Sequence, residues 1–170
     1  MGLSFVVGDA RAALGEGFGD AVDTALRGRF PQLATAAGEV YVSEELPVNG
    51  WRALQARVAS VMQAPQITAI DIYLAAYVPF AQAEIVEIAV PNAADPLQIG
   101  SVATLLDELR DFAARVSLPT DDVELMGLAA RYLEDDDLWD ADLDVQTYVQ
   151  LFLTAKQAAV HNQPLWIRAN

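Results

Sequence analysis

From residue 100 onward the chain can fold in few ways. Between Ser101 and Val116, the residues Val102, Leu105, Leu106, Leu109, Phe112, Ala113 and Val116 recur at spacings of three and four, the signature of one apolar helix stripe. Asp107, Glu108, Arg110, Asp111 and Arg115 fall on the opposite, polar side, and Ser101 is placed to cap the N-terminus. Leu118-Pro119-Thr120 ends that helix, and Asp121 with Glu124 forms a capping-box pattern for the next. Its expected inner positions are Val123, Met126, Leu128, Ala129, Tyr132 and Leu133. A third helix over Leu143 to Val160 is expected to bury Leu143, Tyr148, Leu151, Phe152, Ala155 and Ala159, before Asn162-Gln163-Pro164 turns the chain into a last strand at Leu165-Trp166-Ile167.

The first hundred residues carry shorter elements. Leu3 to Val7 suits a strand, and Asp9 can cap a helix that Gly15, Gly17 and Gly19 interrupt. A second helical piece runs from Asp20 to Phe30 and stops before Pro31. The glycine string lacks the spacing and the Lys-Ser/Thr pair of a phosphate loop, so it reads as a joint between helices. Glu39 to Ser43 alternates as a strand does, and Trp51 to Met62 has helical spacing. Residues 67–78 suit either helix or strand. Glu84 to Val90 is a strand, and with the preceding segment suggests an antiparallel pair turning around Pro79 to Ala83. With no linker or repeat in sight, residues 1–170 read as a single α+β domain. It would have a small, mostly antiparallel sheet with several helices on one side and a mainly helical C-terminal half. Trp51 and Trp166 belong to elements whose other apolar residues face inward, so both are expected in the core.

Composition removes whole classes of function. The chain has no cysteine, which excludes disulfides, thiolate nucleophiles and cysteine-ligated metal centres. His161 is the only histidine and follows a long helical pattern, where a cation complements the helix dipole. That placement suits a helix-capping or solvent-exposed role better than a catalytic triad, and one histidine makes no typical zinc site. No apolar run is long enough to span a bilayer, and Met1 to Val7 lacks the basic start of a secretory leader, so a cytoplasmic location is expected. The formal charge of −14 disfavours nucleic acid and anionic membrane as partners and favours a basic protein. That charge is concentrated late in the chain: residues 121–170 hold ten acids against three bases.

Its densest part is Glu134 to Asp144, where seven of eleven residues are acidic: Glu134, Asp135, Asp136, Asp137, Asp140, Asp142 and Asp144, with Trp139 among them. Asp140, Asp142 and Asp144 match positions one, three and five of a calcium loop. Val145 then stands where glycine is needed and Leu151 where a bidentate glutamate is needed, so no dedicated calcium site is expected. Consecutive aspartates also point apart, a poor way to pair carboxylates for glycoside chemistry. Two readings stay open. One is a solvated helix start with acids favoured in its first turn. The other is a docking surface whose charges steer a basic partner toward Trp139 as an anchor.

A family resemblance favours the second. Leu105-Leu106-Asp107-Glu108-Leu109, Leu118-Pro119-Thr120-Asp121-Asp122, the acidic run and the closing Gln163-Pro164-Leu165-Trp166-Ile167 give roughly residues 100–170 a resemblance to bacterial immunity proteins, the acidic partners of polymorphic toxins. The resemblance implies one-to-one neutralisation of a cognate toxin domain, of nuclease or deaminase type, with no catalytic residue and no cofactor. The alternatives are a non-catalytic adaptor, chaperone or homo-oligomeric subunit, and behind these a carboxylate- or metal-dependent enzyme.

Overall fold

The structure is a computed structural model that describes residues 2–35 and 37–170. Strand β1 (Gly2–Gly8) leads into two short helices, α1 (Ala10–Leu14) and α2 (Phe18–Arg29). Strands β2 (Glu39–Val42) and β3 (Leu46–Pro47) follow, then helices α3 (Gly50–Ala59) and α4 (Pro65–Thr68). Next come strands β4 (Ala75–Val78), β5 (Val86–Ile88) and β6 (Leu97–Ser101). Helices α5 (Val102–Val116), α6 (Asp122–Glu134) and α7 (Leu143–His161) and strand β7 (Leu165–Ala169) complete the fold, with a 3₁₀ turn at Asp136–Leu138. The result is an α+β architecture with a seven-stranded, mostly antiparallel sheet in the order β2-β1-β7-β4-β6-β5, with β3 also on β1.

The N-cap residues are those the sequence implies, without the return bond of a capping box from Glu124 among the described residues. Asp9 Oδ1 accepts from the Ala12 N–H at 2.9 Å, Ser101 accepts from Thr104, and Asp121 accepts from Val123 and Glu124. Gly19 is the joint between α1 and α2: a Cβ there would sit 2.7 Å from the Arg11 Cα, so only glycine lets the two helices meet. Trp51 and Trp166 are both fully buried. Their indole N–H groups donate to the carbonyls of Ile70 (3.0 Å) and Gly8 (2.9 Å).

Two expectations about the sheet are corrected, and one left open is decided. Helices cover both faces of the sheet, not one. Leu3, Phe5, Val7, Tyr77, Leu165 and Ile167 pack toward α3, α5 and α7. Val6, Ala76, Val78 and Trp166 pack the other way, onto Ala10, Ala13, Val22 and Leu26 of α1 and α2. Central strands sandwiched in this way are buried at every position instead of on alternate ones, as β1 and β4 are. The segment 67–78 is helix first and strand second, because α4 ends at Thr68 and β4 begins at Ala75. It also does not pair with β5. Strand β6 lies between them, parallel to β4 and antiparallel to β5.

Within the C-terminal helices, the stripe of α5 faces the core as expected, but two other assignments fail. In α6 the buried residues are Leu125 and Tyr132, whereas Val123, Met126 and Leu133 are exposed. In α7, Ala158 is buried and Ala159 exposed, while Leu143 is only partly covered. Helix α7 passes through the middle of the helical layer, so even Gln146, Thr147, Gln150 and Thr154 are buried. The two threonines are satisfied locally: their hydroxyls donate to the carbonyls four residues back, at 2.7 and 2.6 Å. Among the described residues no helix is long and apolar enough to cross a membrane.

Candidate docking surface

The acidic stretch forms the connection from α6 to α7, and two buried side chains fix its path. Gln146, on the first turns of α7, points its amide nitrogen back into the connection. Nε2 lies within 2.5 to 3.0 Å of the carbonyl oxygens of Leu138, Trp139 and Ala141. An amide with two N–H donors among three converging carbonyls holds the backbone in one shape. The Tyr132 hydroxyl, from α6, donates to Asp142 Oδ2 at 2.9 Å. Burial first, and then that bond, push the tyrosine hydroxyl up to about 12. Asp142 itself has left-handed backbone, φ 47°, a conformation aspartate tolerates better than most residues.

This fixed path divides the predicted residues by task. Asp142 is spent on Tyr132, and the Asp135 carboxylate accepts from the Asp137 N–H at 3.0 Å. Asp144 lies in the first turn of α7, half-buried, where its charge suits the helix dipole. Glu134, Asp136, Asp137 and Asp140 face solvent. Among the described residues, none of the seven carboxylates in this stretch forms an ion pair. Nor do any three carboxylate or histidine groups among them converge as metal ligands would. Trp139 is 42% exposed at the rim of the same turn.

Sequence reasoning missed what lies beside the turn. A crevice runs between α6, α7 and the β2–β3 connection, walled by Leu46, Ala129, Leu133 and Trp139, with Glu44 and Glu45 contributing to its lining. Glu44 and Glu45 are exposed and distant in sequence from the acidic run, and the Glu44 N–H donates to Gln150 Oε1 at 3.3 Å. The signal that could have found this region is the Glu44-Glu45 pair directly before Leu46-Pro47. The outer face of α6 continues from the crevice. Val123 (72% exposed), Met126 (54%) and Leu133 (47%) recur at three and seven, so they make one line along the helix. Arg131 is the base on this helix, and its guanidinium sits 5.9 Å from the Tyr132 ring centroid. At the far end, Lys156 pairs with Asp122.

Two other places break the sequence pattern. Glu108, assigned to the polar side of α5, is only 9% exposed because α4 covers it. Its Oε1 accepts from the Gln66 N–H at 3.2 Å, while Oε2 is buried without a partner among the described residues. Burial pushes this carboxyl up to about 7, against the pull of the backbone N–H groups of Gln66 and Ile67. A second acidic hollow, formed by Asp71, Tyr73, Glu87 and Asp95, lies at the start of β4 and β6. No family model, curated protein or solved structure matches the chain.

Proposed function

We propose that this is an acidic binding protein that neutralises a basic protein by direct one-to-one contact, in the manner of an immunity protein acting on a toxin domain. The observation that supports it is the α6–α7 connection: a run of uncompensated carboxylates, fixed from behind by Gln146 and Tyr132, with an exposed tryptophan at its rim. Like charges crowded on one turn repel each other and disfavour folding, so Glu134, Asp136, Asp137 and Asp140, which face solvent and form no ion pair among the described residues, add nothing to stability. Their physical effect is on encounter, because they steer a basic surface and speed association at low salt. Affinity then comes from a desolvated anchor, the role assigned to Trp139. A basic nuclease or deaminase groove is the kind of target such a surface obstructs.

The test is affinity capture from host-cell lysate with the wild-type chain and with a variant carrying Asp135, Asp136, Asp137 and Asp140 each changed to Lys. The expected result is one basic protein that survives a wash at about half-molar salt, where the Debye length falls to a few ångströms. That protein should lose its activity on addition of the wild-type chain and be ignored by the variant. Equal capture by both chains sinks the proposed surface. A homo-oligomeric subunit is the second reading, and the outward apolar residues of α6 favour it. Sedimentation showing a salt-insensitive oligomer would decide for that reading.

A further inference from the structure

The reading above places the charge but leaves the apolar line on α6 without a task. Val123, Met126 and Leu133 stand in the open at spacings that keep them on one side of a regular helix, and Leu133 is shared with the crevice that Trp139 walls. The line is therefore continuous with the tryptophan. Acids border it: Asp121, Asp122 and Glu124 at one end, Glu134 and Asp135 to Asp137 at the other. Only Arg131 interrupts them along the helix, and the Lys156 ammonium is taken up by Asp122. An apolar centre with a charged rim is the anatomy of a protein interface.

We infer that the outer face of α6, with Trp139 at its end, receives an amphipathic helix of the partner whose apolar side is bordered by lysine or arginine. The spacing of the line argues for a helix, since apolar residues at three and seven form one stripe along a helix, the surface against which an amphipathic helix lays its apolar side. The rim argues for basic borders. It also argues against a second copy of this chain, which would bring another net −14 and only ten basic residues to the contact. The inference rests on the proposed binding function and names the kind of element that is bound.

The probe is a synthetic 18-residue peptide of leucine and lysine with its leucines at helical spacing, compared with the same composition scrambled so that no apolar face can form. The readout is the indole N–H resonance of Trp139, the one tryptophan that is not buried. The amphipathic peptide is expected to bind about tenfold more tightly than the scrambled one. Met126→Asp with Leu133→Asp should bring it down to the scrambled level. Asp136→Asn with Asp137→Asn should weaken both peptides alike, and Asp95→Asn in the remote hollow should change neither. All substituted positions are exposed, and unchanged amide spectra would confirm that each variant is folded. If both peptides bind equally, and only the aspartate variant weakens them, the acidic surface stands and the helix inference is overturned. No binding of either peptide overturns it too, as does a wild-type dimer that Met126→Asp dissociates.

Discussion

Helices α5 and α6 are consecutive, similar in length and similarly rich in apolar residues, yet the fold uses them in opposite ways. In α5 the whole stripe of Val102, Leu105, Leu106, Leu109, Phe112 and Ala113 is buried. In α6 only Leu125 and Tyr132 are, with Leu128 and Ala129 partly covered, while Val123, Met126 and Leu133 look outward. The difference lies in neighbours. Helix α5 follows directly from β6 and is closed in by the sheet, α4 and α7. Helix α6 is the outermost layer, resting on α7 and on the turn that follows it. A helix held along one line can expose apolar residues elsewhere without losing its seat, and those residues are free for other contacts.

The comparison can be broken most sharply at Phe112, whose ring meets that of Tyr148 edge to face at 5.8 Å. Phe112→Ala is expected to cost about 3–5 kcal/mol of folding stability, measured by chemical denaturation. If it costs less than 1 kcal/mol on the same scale, α5 is not the packed helix described. Next is Gln146→Leu, which strands three carbonyls behind the acidic turn. A loss of about 1–3 kcal/mol is expected, with faster amide exchange over residues 138–142. Retained exchange protection would show that the turn holds its shape without the glutamine.

Glu108 sharpens the contrast from the polar side. A carboxyl raised in the fold to about 7 keeps its proton where the unfolded chain has released it, so its favourable contribution is present below about 4.5 and lost as pH rises through 7. Glu108→Gln should therefore match the wild type at pH 4 and be more stable by roughly 3 kcal/mol at pH 8. Parallel stability curves for the two proteins would contradict the burial of this carboxyl. The smallest effect belongs to α6. Met126→Ala and Leu133→Ala should each change stability by less than about 0.5 kcal/mol, while lowering affinity for the amphipathic peptide.

These contrasts also explain what could be read in the sequence. The α5 stripe was legible because its charged residues leave only one apolar side. In α6, Val123, Leu125, Met126, Leu128, Ala129, Tyr132 and Leu133 run most of the way round the helix, so spacing alone selects no unique inner face. Strand β6 went unread because Gly100 looks like a helix start. Its glycine answers a close approach instead: a Cβ there would lie 2.3 Å from Gln66 Oε1 and 2.6 Å from the Tyr77 ring. The acidic turn was visible as composition, and the residues proposed for it lie together because they are neighbours in the chain. Gln146 and Glu44 were not legible as parts of that site, since nothing local marks a glutamine as a clamp or brings residue 44 beside residue 150.

Strand β7 lies between β1 and β4, although it is the last strand to be made. On the ribosome, β1 can find β2 early, but its other edge stays open until residues 165–169 emerge. Until then Val6 and Phe5 have no covering strand on that side, and the helices above and below have only half a floor. Closing the sheet therefore requires a long-range contact between residues 3–7 and 165–169, the kind of pairing that slows folding.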